Sequence, residues 1–553
     1  MQTFMSQQLS KLSSKQRIMA KWGGYFLLSF LLLSLLSYDS YLMHIGSPRC
    51  DSAWFFMCGK AWMEGMTPYV DFADSKGILL WLIYGIGYLL SPTSYIGVFW
   101  LSVIAYAVTF HFIWKTARLF LDRRQSLLVL AVMPFFLFLC QFHNEVRAED
   151  FCYPAVCAGI YFSVLVLRDP SRSVIRRCAF CLGIAMVWCL LIKWSIFFMM
   201  GGMALIVVGV SFSKKSAAGL IFGLLGMAVM ALPFLVYFVI EGNFGAFVQE
   251  YFINTFNIAG NPQFIQQLKG ISEIARLCAL CVFPLLCLFP FVSILFILKK
   301  CPTDNLRLAI FCSFLAVAMP ICMFFFGEKV LMHFIRLYIF ELACKFAYGY
   351  LGLGTIFIGI TLFCRRFKVS YWLLLAFIPI FMFLGLKAVF PYYFSIASPF
   401  YIFIVMYMIS ICCNAKKKIL EHTLATAAIV VLCGVAYNLP WKRLSFVENR
   451  DAKEMRAVMG VIANKRFAKI IFVGNENGAG LLAQSLPGCK YWSQQYGATE
   501  DMLKSRDAAI REGKTDFVVL KLDNLPQSKQ ALRKGGYKLI YTCKTQKAWL
   551  YSK

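Results

Sequence analysis

Between residues 49 and 77, a chain otherwise rich in apolar side chains places Asp51, Asp71, Asp74 and Lys76 among tryptophans, a tyrosine and a proline. Ionisable groups beside hydrocarbon are costly unless they serve a site. A second charged group follows at His143, Glu145, Arg147, Glu149 and Asp150. Carboxylates next to cations suit a reaction in which an acceptor hydroxyl is deprotonated while a phosphate departs. In that chemistry Asp51 is the base, and Lys76 and Arg147 hold the phosphate. Two plainer readings stand beside it. Loop charges can simply keep the polypeptide at the headgroups, and Asp51, directly before the aromatic run 52–63, can cap a helix.

The composition sets what must position these residues. The chain has 553 residues, is 60% hydrophobic and 17% aromatic, and has a mean hydropathy of +0.68, which predicts a polytopic α-helical membrane protein. A formal charge of +28 would suggest nucleic acid in a soluble protein. Here the Lys and Arg sit in short clusters between apolar runs, the pattern of cytoplasmic loops, so no nucleic-acid partner is expected.

The basic clusters also orient the spans. Residues 1–21 form a cytoplasmic N-terminus with Lys11, Lys15, Arg17 and Lys21, and a retained first span at 22–43 delivers the first extracytoplasmic loop, 44–94. The segment 78–90 is short and interrupted by glycines. Placing it in the outer interface as a juxtamembrane helix lets 95–114 cross inward and puts Lys115, Arg118, Arg123 and Arg124 inside. A third span at 126–141 then exposes the 143–150 group on the same face as Asp51. Continued to residue 440, this scheme gives about thirteen spans. The outward gaps fall at Lys193, 241–276, 327–345 and 387–393, and Phe244, Phe247, Tyr251 and Phe252 read as a helix lying on the membrane.

After residue 440 the charges scatter as in a soluble domain. Strands are predicted at 469–474 and 516–521, a hairpin at 537–551, and helices at 500–511 and 527–533, which makes 441–553 a small extracytoplasmic α/β domain. Most of the 21 cysteines lie in apolar runs as small hydrophobes. Cys50, Cys58, Cys489 and Cys543 fall outside the cytoplasm, where disulfides are compatible with the environment but cannot be paired from sequence.

Asp51 followed by Gly59, Gly65, Pro68, Tyr69 and Asp71, then by Asp74-Ser75-Lys76-Gly77 and a Trp/Leu/Tyr-rich segment, resembles the first extracytoplasmic loop of the GT-C glycosyltransferases. The similarity is to the protein O-mannosyltransferases and the bacterial aminoarabinose transferases. The family commonly has an acidic residue and then Lys-Pro where this chain has Ser75, Lys76 and Gly77. A weaker likeness is the segment 390–399, with Tyr392 and Tyr393, to the family's late aromatic and proline segment. The resemblance implies Asp51 in acceptor activation, Lys76 at the lipid phosphate, and Arg147 with Glu149 as the second-loop group, Glu149 being a further catalytic carboxylate. Asp74, Glu145, Asp150, His333, Tyr392 and Tyr393 would line the site. It further implies a sugar on a polyprenyl phosphate as donor, inversion by direct displacement, and a lipid, glycan or protein acceptor outside the cytoplasm, at the inner membrane of a bacterium.

The sequence requires no cofactor, although a divalent ion at Asp51 or Glu149 is compatible with it. A competing reading is a transporter or flippase of a lipid-linked saccharide, which predicts internal repeats and charges at the bilayer midplane. The ionisable residues collect instead at span ends. Lys193 and Lys387, at span ends, could touch a phosphate, with snorkelling to the interface the plainer reading, and the glycine-rich turn 474–480 reads as a strand-to-helix connection rather than a nucleotide loop.

Overall fold

The computed structural model describes residues 13–36, 50–127, 129–130, 147–255 and 257, six positions between 396 and 406, and, in the C-terminal part, 460–462, 464–473, 485–493, 499–521, 526–543 and 548–553. The expected third span, most of the later ones, His143, Glu145, His333, Lys387, Tyr392, Tyr393 and the turn 474–480 lie outside the described residues.

The N-terminal half is helical. In chain order the helices are α1 (Ser14–Leu36), α2 (Cys50–Met63), α3 (Ile78–Leu90), α4 (Ile96–Phe120), α5 (Ala148–Arg168), α6 (Arg172–Leu190), α7 (Trp194–Ser213) and α8 (Ala218–Ile240). Among the described residues, α4 to α8 are long and apolar enough to cross a membrane. The chain is thus a multi-pass helical protein by length and composition. The expected first span overlaps α1, and the expected inward span at 95–114 is α4. Arg168 ends α5, Arg172, Arg176 and Arg177 lie in the first turns of α6, and Lys214 with Lys215 follows α7.

The expected juxtamembrane segment is a separate short helix, α3, packed on α2. Gly59 of α2 and Gly85 of α3 meet backbone to backbone. A Cβ at Gly59 would lie only 2.8 Å from the Trp81 carbonyl oxygen, so these helices can touch only through small residues. Aromatic side chains fill the rest of the contact, with Phe55 edge-on to Tyr84 at 5.6 Å and Phe56 edge-on to Tyr88 at 5.9 Å.

Beyond α8 the aromatic run departs from the surface-lying helix expected of it. It forms a one-turn helix, α9 (Phe244–Phe247), that continues as a π-helical turn, Val248–Asn254. Phe247 stacks on Phe238 at 4.3 Å, and Tyr251 is wholly buried against Phe247 and Tyr69, whereas Phe244 remains exposed. A π turn brings onto one face residues that an α-helix would spread out. Half of the aromatic stripe therefore faces the protein.

The C-terminal part is an α/β unit as expected. Its sheet has the order β2-β1-β3-β5-β4, from β1 (Lys469–Val473), β2 (Leu486–Pro487), β3 (Phe517–Lys521), β4 (Lys538–Cys543) and β5 (Ala548–Ser552). β1 runs parallel to β2 and β3, and the terminal hairpin adds antiparallel to β3. Helices α10 (Glu500–Arg511) and α11 (Pro526–Lys534) complete it. Thr499 caps α10 by accepting from the Met502 N–H. The two-residue strand β2 has no signal in the sequence, being too short to show a period.

This unit docks on the first loop. The Ala73 N–H donates to the Lys490 carbonyl at 3.0 Å, and Trp54 of α2 packs on Trp492 with ring centres 5.1 Å apart. Cys58 and Cys489 are free thiols, so neither forms the disulfide that the sequence left open.

Candidate functional site

The loop between α2 and α3 is shaped by its own hydrogen bonds. Asp71, exposed, accepts from the Thr67 N–H at 2.7 Å and so closes a turn. Tyr69 holds a positive φ of 65°, unfavourable for a bulky residue and costing on the order of 1–3 kcal/mol. Three contacts fix it there. Its N–H donates to the Phe72 carbonyl at 2.8 Å, its hydroxyl donates to the Lys76 carbonyl at 3.1 Å, and Asn243 donates to the neighbouring Pro68 carbonyl at 3.3 Å. The loop is a rigid support for Asp74 and Lys76.

Asp74 is 7% exposed and accepts from the Ser75 N–H at 2.5 Å and the Ser75 hydroxyl at 3.2 Å. Lys76 Nζ donates to that same hydroxyl at 3.1 Å and lies 5.7 Å above the Phe55 ring. Burial pushes the Asp74 carboxyl up from its usual range. Lys76 and the two Ser75 hydrogen bonds hold it down in part, and the charge of Asp51 adds a smaller upward push. Asp51, in the first turn of α2 and half-buried, therefore stands within electrostatic reach of Asp74. Its place inside the helix replaces the expected cap position. A carboxylate there is still favoured by the helix dipole.

The glycine at position 77 has a local cause. The Gly77 N–H donates to the Ile192 carbonyl at 3.0 Å, which a proline could not do, and a Cβ at this position would strike the Leu191 carbonyl. Leu79 N–H adds a bond to the Leu191 carbonyl at 2.9 Å. The segment carrying Lys76 is thus sewn to the turn between α6 and α7.

That turn holds Lys193. It does not snorkel, since it is 8% exposed and its Nζ is ion-paired to Glu149, itself 2% exposed. Two charges so far from water must neutralise one another. Arg147, also buried, is within electrostatic reach of Glu149 and precedes α5 as its N-cap residue. Asp150 has a structural place. It accepts from the Arg147 N–H at 2.7 Å and from the Tyr106 hydroxyl, which locks the start of α5 to α4. Of the expected site residues, the structure gathers Asp51, Asp74 and Lys76 in one cluster and Arg147 with Glu149 in another. Backbone bonds from Gly77 and Leu79 join the two.

No family model matches the sequence, and no curated protein does. The structure of ArnT from Cupriavidus metallidurans bound to undecaprenyl phosphate is 12% identical, with a TM-score of 0.49 over 96% of this chain and 98% of that one. Its apo state, also 12% identical, gives 0.48 over 97% and 98%. The Archaeoglobus fulgidus oligosaccharyltransferase, in complex with Zn and sulfate, is 11% identical, with 0.45 over 96% and 73%.

Sequence reasoning missed two further features. Lys60 on α2 is completely buried, and burial lowers its pKa to about 7 against the opposing pull of Glu64. Its place in an aromatic helix gave no hint of this. Glu250, on the π turn, is 5% exposed and receives Asn254 at 2.8 Å, the Tyr491 hydroxyl at 2.9 Å and the Lys490 ammonium at 2.6 Å. The last two come from the segment after β2, with Tyr491 lying 241 residues away in sequence, beyond the reach of any local pattern. Among the described residues, no three His, Cys, Asp or Glu side chains gather as metal ligands.

Proposed function

We propose that this protein is a membrane glycosyltransferase that moves a sugar from a polyprenyl phosphate to a hydroxyl acceptor on the extracytoplasmic face. The carrying observation is the cluster of Asp51, in the first turn of α2, with Asp74 and Lys76 on the loop after α2, which backbone bonds tie to the turn beside Arg147, Glu149 and Lys193. In this reading Asp51 accepts the proton of the acceptor hydroxyl as its oxygen bonds to the sugar's anomeric carbon. The bond from that carbon to the phosphate oxygen breaks, and the configuration inverts. Lys76 and Arg147 offset the charge growing on the departing phosphate, commonly a leading contribution to such rates.

Glu149 serves this arrangement through Lys193, whose charge it balances at the edge of the site. Asp74, raised by burial, tunes the field around Asp51 and Lys76. The acceptor is a lipid, a glycan or a protein of the cell envelope, the location a bacterial inner membrane, and the C-terminal unit lies outside with the site.

Purified protein in proteoliposomes, supplied with polyprenyl-phosphate sugars and extracted envelope glycolipids, tests the reading. A new glycosidic product of inverted configuration is expected. Movement of intact lipid-linked saccharide across the bilayer without bond formation would make the protein a transporter instead.

A further inference from the structure

Another concentration of charge lies where α1 packs on α4. Trp22 of α1 stacks on His111 of α4 with ring centres 4.7 Å apart. Lys21 Nζ, beside this stack, is 5.8 Å from the Tyr25 ring and 5.6 Å from that of Trp114. Lys115, the next residue of α4, sits 5.1 Å from the Tyr161 ring of α5. Arg118 Nη1 donates to the Leu121 carbonyl at 2.8 Å. Each cation is thus held by a ring or a carbonyl, and the charges of Lys115 and Arg118 both reach Lys21. Among the described residues, none of the three is ion-paired. Asp122, the carboxylate closest to Arg118 in sequence, accepts from the Gln125 N–H at 2.9 Å. Like charges fixed side by side repel, and an anion seated among them relieves that repulsion.

By the rise of an α-helix, Lys115 stands about 28 Å along α4 from Ile96, close to the thickness of a bilayer's hydrocarbon core. The cations are therefore at the opposite end of this helix from α3 and the first loop, on the side that the charge pattern assigns to the cytoplasm. From them toward the start of α4 the surface turns apolar. Phe26 stacks on Trp100 with ring centres 5.8 Å apart, and both are exposed, as are Leu27, Leu31 and Ile104. Trp22, itself exposed, stands at the boundary, the usual place of an interfacial aromatic.

We propose that Lys21, Lys115 and Arg118 bind the phosphodiester headgroup of an anionic phospholipid whose acyl chains lie along Phe26 and Trp100. Phosphate oxygens accept from ammonium and guanidinium groups, and Arg118 keeps further N–H donors beyond the one given to Leu121. Basic pockets between membrane helices on the cytoplasmic side suit such headgroups. A free phosphate would find the same cations but gain nothing from the apolar surface beside them, so the lipid is the favoured occupant. It ties α1 to α4 on the face opposite the proposed reaction, whatever that reaction is.

Native mass spectrometry of the full-length protein, released from detergent micelles with added phosphatidylglycerol or phosphatidylcholine, tests the proposal. Phosphatidylglycerol binds the more tightly, and Lys21→Gln with Lys115→Gln weakens it about 25-fold, each basic residue near an anionic membrane being worth about fivefold. Lys21→Arg with Lys115→Arg keeps both charges and binds within about twofold of the native protein, which separates lost charge from lost fold. Lys214→Gln with Lys215→Gln removes two basic residues from the turn after α7 and also leaves binding within about twofold. Equal binding of phosphatidylcholine, loss of binding in the arginine pair, or an equal loss in the 214 and 215 pair overturns the proposal. So does displacement of the lipid by millimolar inorganic phosphate at constant ionic strength, which would make the occupant a free anion.

Discussion

The two charged regions beside the α6–α7 turn use the same residue types to opposite ends. Glu149 and Lys193 are both buried and ion-paired with each other. Asp51 is half-buried, and Lys76 shares one serine hydroxyl with Asp74 while resting over an aromatic ring. A closed pair in low dielectric fixes structure, because breaking it strands a charge. An open cluster can exchange its partners for a substrate's oxygens. In the proposed reaction Glu149 and Lys193 position the site, while Asp51 and Lys76, with Arg147, carry the chemistry.

The largest effect expected from this contrast is on stability. Lys193→Met leaves the Glu149 carboxylate buried without its cation and destabilises the protein by about 3–5 kcal/mol, whereas Lys193→Met with Glu149→Leu recovers most of the loss. Thermal unfolding in detergent checks this, and equal melting of the single and double variants would break the contrast. Lys76→Met is smaller in stability but lowers transfer by about 10²–10³-fold, the scale of removing one transition-state charge partner. It also moves the acid limb of the pH–rate profile upward. The sign follows from Lys76 holding the Asp74 pKa down: without it, burial raises that carboxyl further, and protonation sets in at a higher pH. An unmoved or lowered limb would detach Asp74 from the site. Least affected is Tyr491→Phe, which removes one hydrogen bond to the Glu250 carboxylate and costs roughly 1.5–3 kcal/mol, read as faster proteolytic release of the C-terminal unit.

Much of the architecture is legible in the chain because its signals are local. Basic clusters mark the turns, glycines break the segment that becomes α3, and short continuous apolar runs mark β1 and β3. The strands at 469–473 and 517–521 and the helices at 500–511 and 526–534 fall within about a residue or two of expectation. The candidate site was legible only in part. Asp51, Asp74 and Lys76 share one loop, so their spacing betrays them. Lys193 and Glu250 act through partners 44 and 241 residues away. A lysine at a span end looks the same in sequence whether it snorkels or pairs inward. The aromatic stripe at 244–252 misleads for a similar reason, since a π turn changes which residues share a face and leaves no mark in hydrophobic spacing.

The most direct measurement of the central claim is single-turnover transfer from a polyprenyl-phosphate sugar by Asp51→Asn protein whose thermal unfolding matches the native. The exchange keeps the shape of a half-buried side chain and removes only its basicity. A fall of about 10²–10⁴-fold in the chemical step is predicted, the range for loss of a general base. Transfer at the native rate would contradict the assignment of Asp51, and with it the division between a chemical loop and a structural ion pair.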